Sequence, residues 1–328
     1  MLKRKEDKKM KALSLCDGIS GGYMAFNKAG IHIDKYYASE IKKEAIECSK
    51  MNFPDIIHIG DVKKISYQNG ILHTEFGDYK EKFDIVIFGS PCQSFSRAMK
   101  KDKRIGLKDD MRSGIFLDCH RILKEVNPKF FLMENVIMNK NDESTITEML
   151  GVSPIRINSK LVSAQLRDRL YWTNIPTTIP NDLNIKLQDI LTDGYTEKTK
   201  ARCLMKNDSH GYYNGCNYNA PARFYREHYK SFSTIIYPDK EHYELCLKKA
   251  TELLNGRKPK NEYFNTYKGS EFDCIRYLNK YERARLQTIP EKYIEHLSEK
   301  TAADLLGDGW TVDVIAHILS FIPKDDLK

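Results

Sequence analysis

Short apolar runs alternate with helical patterns through the first half of the chain. Residues 12–16, 36–39, 83–89 and 130–133 have the length and continuity of buried strands, and the first run ends abruptly at Asp17-Gly18. Residues 23–30 and 115–126 between them place apolar side chains at helical spacing. This alternation predicts an α/β fold with a doubly wound, mostly parallel sheet and a ligand site at the carboxyl ends of its strands.

The strand-helix rhythm fades after Pro176, where Tyr, Asn, Gly and Lys become dense. Order returns near Tyr277, and an amphipathic segment from Val312 to Ile322 closes the chain. We therefore predict a basic tail (1–10), a first domain (11–176), a smaller second domain (177–276) and a return segment (277–328) whose last helix packs on the first domain.

Composition sets weaker limits. The 328 residues are 41% hydrophobic, enough for one large core and a satellite, so disorder is not the default. The net charge of +8 suits a polyanionic partner but is also common among ordinary soluble proteins.

No run resembles a signal peptide or a membrane span, so we expect a soluble, intracellular protein. The eight cysteines form no C-x-x-C pair; Cys203, His210 and Cys216 lack a fourth ligand, so no metal is expected.

The turn after the first strand has the features of a nucleotide site. Gly18, Gly21 and Gly22 let a ligand approach the backbone at a helix N-terminus, although a tight strand-helix turn explains two glycines equally well. Glu40 lies 18 residues after Gly22, where such sheets place a carboxylate on ribose hydroxyls. Asp61 ends the third strand and is either an adenine ligand or a cap. Since Ser20 occupies the second glycine position of a dinucleotide fingerprint, an adenosyl ligand fits better than NAD.

Three further segments carry reactive side chains. Cys92 follows the most apolar strand and is held by Pro91 in a polar turn, which favours an accessible thiol over a small buried hydrophobe. Glu134 ends the next strand. A carboxyl group at that edge is either a proton donor or a strand-end cap. Residues 165–169 alternate two guanidinium groups on one side if extended, suited to a base carbonyl or a phosphate; a solvated basic strand is the alternative.

Together these segments resemble the cytosine carbon-5 DNA methyltransferases. The matching residues occur in the family's order and cover most of the chain: Asp17-Gly18-Ile19, Gly21-Gly22, Glu40, Asp61, Pro91-Cys92-Gln93, Glu134-Asn135-Val136, Gln165-x-Arg167-x-Arg169, Arg285-Leu286-Gln287 and 307–314. Residues 15–19 and 307–315 are similar to the de novo methyltransferases of animals. Cys16 replaces the usual Phe near the cofactor adenine, and Asp308 replaces the Asn common in bacterial members.

The resemblance implies a class I, Rossmann-like methyltransferase domain (11–176), a target-recognition domain (177–276), S-adenosylmethionine as methyl donor and S-adenosylhomocysteine as product. The implied catalytic residues are Cys92, Glu134, Gln165, Arg167 and Arg169. The implied cofactor residues are Asp17, Gly18, Ile19, Gly22, Glu40, Asp61, Pro91 and Trp310. The expected DNA contacts are Gln93, Ser96, Arg97, Lys100, Lys101, Arg104, Arg223 and Arg226, the first six in or beside a charged loop (97–112).

The implied reaction begins with addition of the Cys92 thiolate to carbon 6 of a cytosine flipped out of duplex DNA. Glu134 would hydrogen-bond ring N3 and the amine, and Arg169 would hold the base carbonyl. Two alternatives stay open: a tRNA cytosine methyltransferase of the same fold, and a catalytically silent DNA-binding relative. We also expect a cytoplasmic monomer of prokaryotic or phage origin, with a restriction enzyme as a possible companion.

Overall fold

The computed structural model describes residues 10–91, 111–205, 212–213, 216–217 and 219–327, and of residues 111–113, 212–213 and 216–217 it describes the backbone alone. The chain divides into two compact units. Within the described residues, the first unit contains 10–158, 168–180 and 312–327, and the second contains 159–167 and 181–311. The basic tail that we predict for the N-terminus lies outside the described residues, except for Met10.

The strands and helices are numbered in chain order. The strands are β1 (Met10–Leu15), β2 (Ile33–Ser39), β3 (Ile57–His58), β4 (Ser66–Gln68), β5 (Ile71–Thr74), β6 (Gly77–Lys80), β7 (Ile85–Phe88), β8 (Phe130–Val136), β9 (Ile155–Asn158), β10 (Gln165–Leu166), β11 (Asp168–Thr173), β12 (Ala201–Arg202), β13 (Tyr212–Tyr213), β14 (Cys216–Asn217), β15 (Ile235–Ile236) and β16 (Arg276–Tyr277). The helices are α1 (Gly21–Lys28), α2 (Lys43–Asn52), α3 (Met111–Val126), α4 (Lys140–Leu150), α5 (Ala220–Tyr229), α6 (Lys240–Leu254), α7 (Asn261–Asn265), α8 (Lys280–Leu286), α9 (Glu291–Ile294), α10 (Glu299–Asp308) and α11 (Val312–Leu319).

A sheet in the order β3-β2-β1-β7-β8-β11-β9 forms the centre of the first unit. The pairs from β3 to β8 are parallel, and β11 is antiparallel to both β8 and β9. The chain moves outward from β1 to β2 and β3 on one side and to β7 and β8 on the other. This order confirms the prediction of a doubly wound, mostly parallel α/β sheet.

Continuous apolar sequence places β1, β7 and β8 at the centre of the sheet. All four residues of β7 and all seven of β8 are buried, as expected for strands that are covered on both faces. Apolar residues of α3, including Phe116 and Ile122, pack in the same core as Val86 and Met133. The C-terminal helix α11 packs on α1, and Asp313 of α11 forms an ion pair with Lys28 of α1.

A three-stranded antiparallel meander, β4-β5-β6, is inserted between β3 and β7. It turns from β4 to β5 at Asn69-Gly70, both with positive φ, which is the geometry that an Asn-Gly hairpin favours. Leu72 is fully buried in the core of the first unit, and Tyr67 and Tyr79 pack against that core. The meander is therefore fixed to the sheet domain.

The second unit has its own core, in which Phe224, Phe264 and Phe272 from α5, α7 and the following loop are fully buried. Its extent differs from the predicted boundaries, because residues 277–311 belong to it and only 312–327 join the first unit. The reason is local pairing: β16 forms a ladder with β15, and the Gln287 side chain bonds to carbonyls of Leu306 and Gly309. The roles that we predict for the domains stay predictions. In the described part of the chain, no helix is long and apolar enough to cross a membrane.

Candidate active site

The turn between β1 and α1 is organised around the buried carboxylate of Asp17. Ser14 Oγ, Ser20 Oγ and the Tyr36 hydroxyl donate hydrogen bonds to it at 2.6, 2.7 and 2.6 Å. Burial raises the pKa of Asp17, while these three hydrogen bonds act in the opposite direction. The carboxylate therefore fixes the shape of the turn from inside the protein.

Gly18 and Glu40, both half-buried, are joined by a hydrogen bond at the same turn. Gly18 has a φ of +61°, and nothing lies within 4 Å of where a Cβ would stand. Its N–H donates to Glu40 Oε2 at 2.8 Å, and Oε1 of Glu40 accepts from the N–H groups of Ile41 and Lys42, both at 2.8 Å. Three backbone donors thus hold this carboxylate at the end of β2. Ile19 is buried, and Gly22 lies in the first turn of α1.

A cavity of about 430 Å³ opens beside Glu40. Its lining residues come from the ends of β2 and β3, from α2 and from the meander: Glu40, Ile41, Ile46, Lys50, His58, Gly60, Glu75 and Phe76. Neither ring nitrogen of His58 has a hydrogen-bond partner among the described residues, although both are buried. Burial, with a smaller contribution from Lys50, lowers the pKa of His58. The cavity therefore has a carboxylate at its edge, polar atoms that lack protein partners and apolar walls, which fits an adenosyl group.

Asp61 follows β3 by three residues, whereas we predict it as the last residue of that strand, and its polar groups have local partners. Its Oδ1 accepts from Lys63 N at 3.0 Å and caps a 3₁₀ turn, and its own N–H donates to Glu75 Oε1 at 3.1 Å. Of these two acids, Glu75 is the one that lines the cavity in the described part of the chain. The adenine contact of Asp61 stays a prediction.

Glu134 and Arg169 meet on the neighbouring strands β8 and β11. Arg169 Nε lies 2.9 Å from Glu134 Oε1, and the side chains are 13% and 11% exposed. The next residue of β8, Asn135, is buried and donates from Nδ2 to Ser90 Oγ at 3.2 Å. The predicted proton donor and the predicted carbonyl-binding guanidinium are therefore one ion pair, and its strand is tied to the segment that leads to Pro91.

Several predicted residues cannot be placed in this geometry. Pro91 is half-buried and is the last described residue before a gap. The nucleophile and most of the predicted DNA contacts lie outside the described residues: Cys92, Gln93, Ser96, Arg97, Lys100, Lys101 and Arg104.

Arg167 and Gln165 are buried within the second unit. The Arg167 guanidinium donates to the carbonyls of Gly309 at 2.8 Å and Gly307 at 3.4 Å. The residue is only 4% exposed. Gln165 is fully buried, donates to Leu286 O at 3.1 Å and accepts from Leu204 N at 2.8 Å. These contacts favour a positioning role; the catalytic role that we predict for both residues stays a prediction.

Gln287 links these groups, a role that the sequence does not reveal. Its Nε2 donates to Leu306 O at 2.6 Å, while its Oε1 accepts from Thr311 Oγ1 at 2.9 Å and Gln165 Nε2 at 3.3 Å. The segment that leads to the half-buried Trp310 is thus held by buried amides.

The two described candidates for DNA contact lie on α5. Arg226 Nε donates to Glu227 Oε1 at 2.6 Å, and its side chain is 11% exposed. Arg223 is half-buried with its guanidinium over the Tyr277 ring, 5.6 Å from the centroid. Both side chains therefore contact their own unit, and their contact with DNA stays a prediction.

Comparison with known proteins decides the family, since residues 10–324 match the model of the C-5 cytosine-specific DNA methylases. The chain belongs to this family. The resemblance inferred from the motifs is thereby confirmed.

Individual relatives show the same likeness. A type II methyltransferase of Neisseria gonorrhoeae is 33% identical over 213 residues, which are 56% of this chain and 47% of the relative. Another type II methyltransferase, from Lactococcus lactis subsp. cremoris, is 28% identical over 346 residues, 94% of this chain and 77% of the relative. The chain thus spans less than half of the first of these relatives.

A solved structure supports the fold of this C-5 cytosine methylase family member. A mutant of DNMT2 from Spodoptera frugiperda covers 95% of this chain and is itself covered to 99%, with a TM-score of 0.66 and 19% identity.

Within the first unit, the structure brings together Gly18 with Glu40 and Glu134 with Arg169. The sequence did not indicate a role for Tyr36, His58, Glu75 or Phe76, although Tyr36 and His58 lie in strands that it had located.

Proposed function

We propose that this chain is a DNA cytosine-5 methyltransferase that uses S-adenosylmethionine and Cys92. The ion pair between Glu134 and Arg169 carries the proposal. A largely buried pair at the end of a central strand is costly to desolvate, so its polar groups are more useful to a substrate than to stability.

The first unit offers residues that fit the cofactor. Gly18 leaves backbone space at the N-terminus of α1, Glu40 presents a fixed carboxylate for ribose hydroxyls, and the adjacent cavity accepts the adenosyl end. When bound, S-adenosylmethionine supplies an electrophilic methyl group.

The chain's own groups account for the rest of the chemistry. The Cys92 thiolate forms a bond to carbon 6 of cytosine, which makes carbon 5 nucleophilic enough to take the methyl group. Glu134 hydrogen-bonds N3 and the exocyclic amine as charge develops, and Arg169 holds the carbonyl. Loss of the carbon-5 proton to a base then expels the Cys92 sulfur. The products are 5-methylcytosine, S-adenosylhomocysteine and a proton.

The substrate is proposed to be duplex DNA with the target base flipped out, because carbon 5 and carbon 6 are not accessible to this chemistry inside a helix. The net charge of +8 is consistent with phosphate contacts. Buried Gln165 and Arg167 are proposed as positioning residues that shape the segment ending at Trp310. The type II relatives suggest a companion restriction enzyme.

The test is incorporation of labelled methyl groups from S-adenosylmethionine into plasmid DNA and, in parallel, into tRNA. We expect label in duplex DNA at a fixed sequence, mapped by bisulfite sequencing, and none with Cys92→Ser. A preference for tRNA would contradict the DNA assignment. Absence of label from both would support the catalytically silent alternative.

A further inference from the structure

We infer that the turn between β5 and β6 is an additional wall of the adenosyl cavity, in which Phe76 stacks on the base. The inference rests on the proposed function and adds a binding residue from the inserted meander. Neither the motif pattern nor any of the predicted cofactor residues includes this turn.

The turn is fastened directly to the end of β3. Glu75 Oε1 accepts from Asp61 N at 3.1 Å, and Oε2 pairs with Lys64 Nζ at 2.7 Å. A Cβ on Gly60 would stand 2.2 Å from Glu75 Oε1 and 2.9 Å from Phe76 Cε2. The absence of a side chain at Gly60 thus allows the turn to approach the strand end, and Glu75 acts as a positioning residue.

Phe76 then projects an aromatic ring at the cavity. It is 64% exposed, and Ile41, which also lines the cavity, is 71% exposed. Two large apolar side chains are thus left in water beside one cavity, whereas most of the large apolar side chains of the first unit lie in its core. A planar, apolar surface that enters the cavity would remove both from water, and every purine face can stack on an aromatic ring.

The polar groups of the cavity also suit a neutral base. Glu40 is already saturated on Oε1 by two backbone donors, and the other lining groups are Lys50, Glu75 and the imidazole of His58. The two buried ring nitrogens of His58, which lack partners among the described residues, offer one donor and one acceptor when the ring is neutral. A purine edge, which carries acceptor ring nitrogens and a donor amine, can pair with either of these nitrogens.

The experiment is isothermal titration calorimetry of the full chain with S-adenosylhomocysteine and with 5′-methylthioadenosine, which keeps the adenosyl group but lacks the amino-acid end. Phe76→Ala should raise the Kd for both ligands by the same factor, about five- to hundred-fold. Phe76→Trp should keep the affinity of the wild type. The matched control is Leu117→Ala, which removes another half-exposed apolar side chain, on α3, and should change neither Kd.

The outcomes separate this inference from the proposed function. An unchanged Kd in Phe76→Ala, with tight binding by the wild type, overturns the stacking role and leaves the methyltransferase proposal intact. A loss for S-adenosylhomocysteine without a loss for 5′-methylthioadenosine also overturns it, because Phe76 would then contact the amino-acid end. A wild-type chain that binds neither ligand contradicts both proposals.

Discussion

Glu134 and Arg169 hold each other across the antiparallel ladder of β8 and β11, with Oε1 and Nε 2.9 Å apart. Tyr171 is the residue directly opposite Glu134, so the pair is diagonal and depends on the register of the two strands. Each charged side chain is largely removed from water, and each forms an ion pair with the other. We therefore predict strong energetic coupling between them.

A double-mutant cycle measures this coupling. Glu134→Gln removes a carboxylate that pairs with the largely buried Arg169 charge and should lower the free energy of unfolding by about 3 kcal/mol. Arg169→Gln should do the same, and the double variant should lose less than the two losses combined, with a coupling of about 1–3 kcal/mol by urea unfolding. Glu134→Gln should also slow methyl transfer about 100-fold.

The control cycle uses Arg156 and Asp168, which pair across β9 and β11. The Arg156 side chain is 65% exposed, so the coupling should stay below about 1 kcal/mol. A coupling free energy between Glu134 and Arg169 that is no larger than that of the control pair would contradict the interpretation of the buried pair.

Arg167 should contribute mainly to the stability of the second unit. Arg167→Met removes the guanidinium that donates to the carbonyls of Gly307 and Gly309, the second of which keeps its hydrogen bond from Gln287 Nε2, at an expected cost of about 2 kcal/mol. Arg202→Met, at an exposed arginine of β12, should change stability by less than about 0.5 kcal/mol. If Arg167→Met unfolds like the wild type yet loses turnover, the side chain contacts the substrate instead.

His58 should make stability depend on pH. Its pKa in the folded chain is below the ordinary 6.5 because burial and Lys50 disfavour the imidazolium. His58 then binds a proton more readily in the unfolded chain than in the folded chain. Its contribution to the free energy of unfolding is therefore fully present above pH 6.5 and is lost as the pH falls towards the folded pKa. Urea unfolding at pH 7.5 and 5.5 should show a smaller pH effect in His58→Gln than in the wild type.

Exposed His32 provides the control for this prediction, and His32→Gln should keep the pH effect of the wild type. A pH effect that persists undiminished in His58→Gln would assign it to other groups. Glu40 and Glu75 also line the cavity, and they are unchanged in both variants.

The central strands were predictable because their apolar residues are contiguous. Residues 83–89 and 130–133 predicted β7 and β8 closely, and Gly30, with a φ of +70°, follows α1 as the sequence indicated. The meander was not predicted, since its strands of three or four residues are too short for a clear period, although Asn69-Gly70 is a hairpin signal.

The roles of single side chains were harder to predict, because they depend on contacts distant in sequence. Arg167 interrupts the expected extended run between β10 and β11 and bonds to carbonyls of Gly307 and Gly309, about 140 residues away. Local spacing contains no information about such partners. The same holds for Tyr36, which reaches Asp17 from the neighbouring strand.

The most direct test of the central claim is a covalent adduct between Cys92 and a duplex that contains 5-fluorocytosine at the target position. Fluorine at carbon 5 cannot leave as a proton does, so the bond from sulfur to carbon 6 should persist after methyl transfer. With S-adenosylmethionine present, the wild type and Cys274→Ser should form an adduct that survives denaturing electrophoresis, and Cys92→Ser should form none. An adduct with Cys92→Ser, or none with a wild-type chain that methylates the unmodified duplex, would contradict the account.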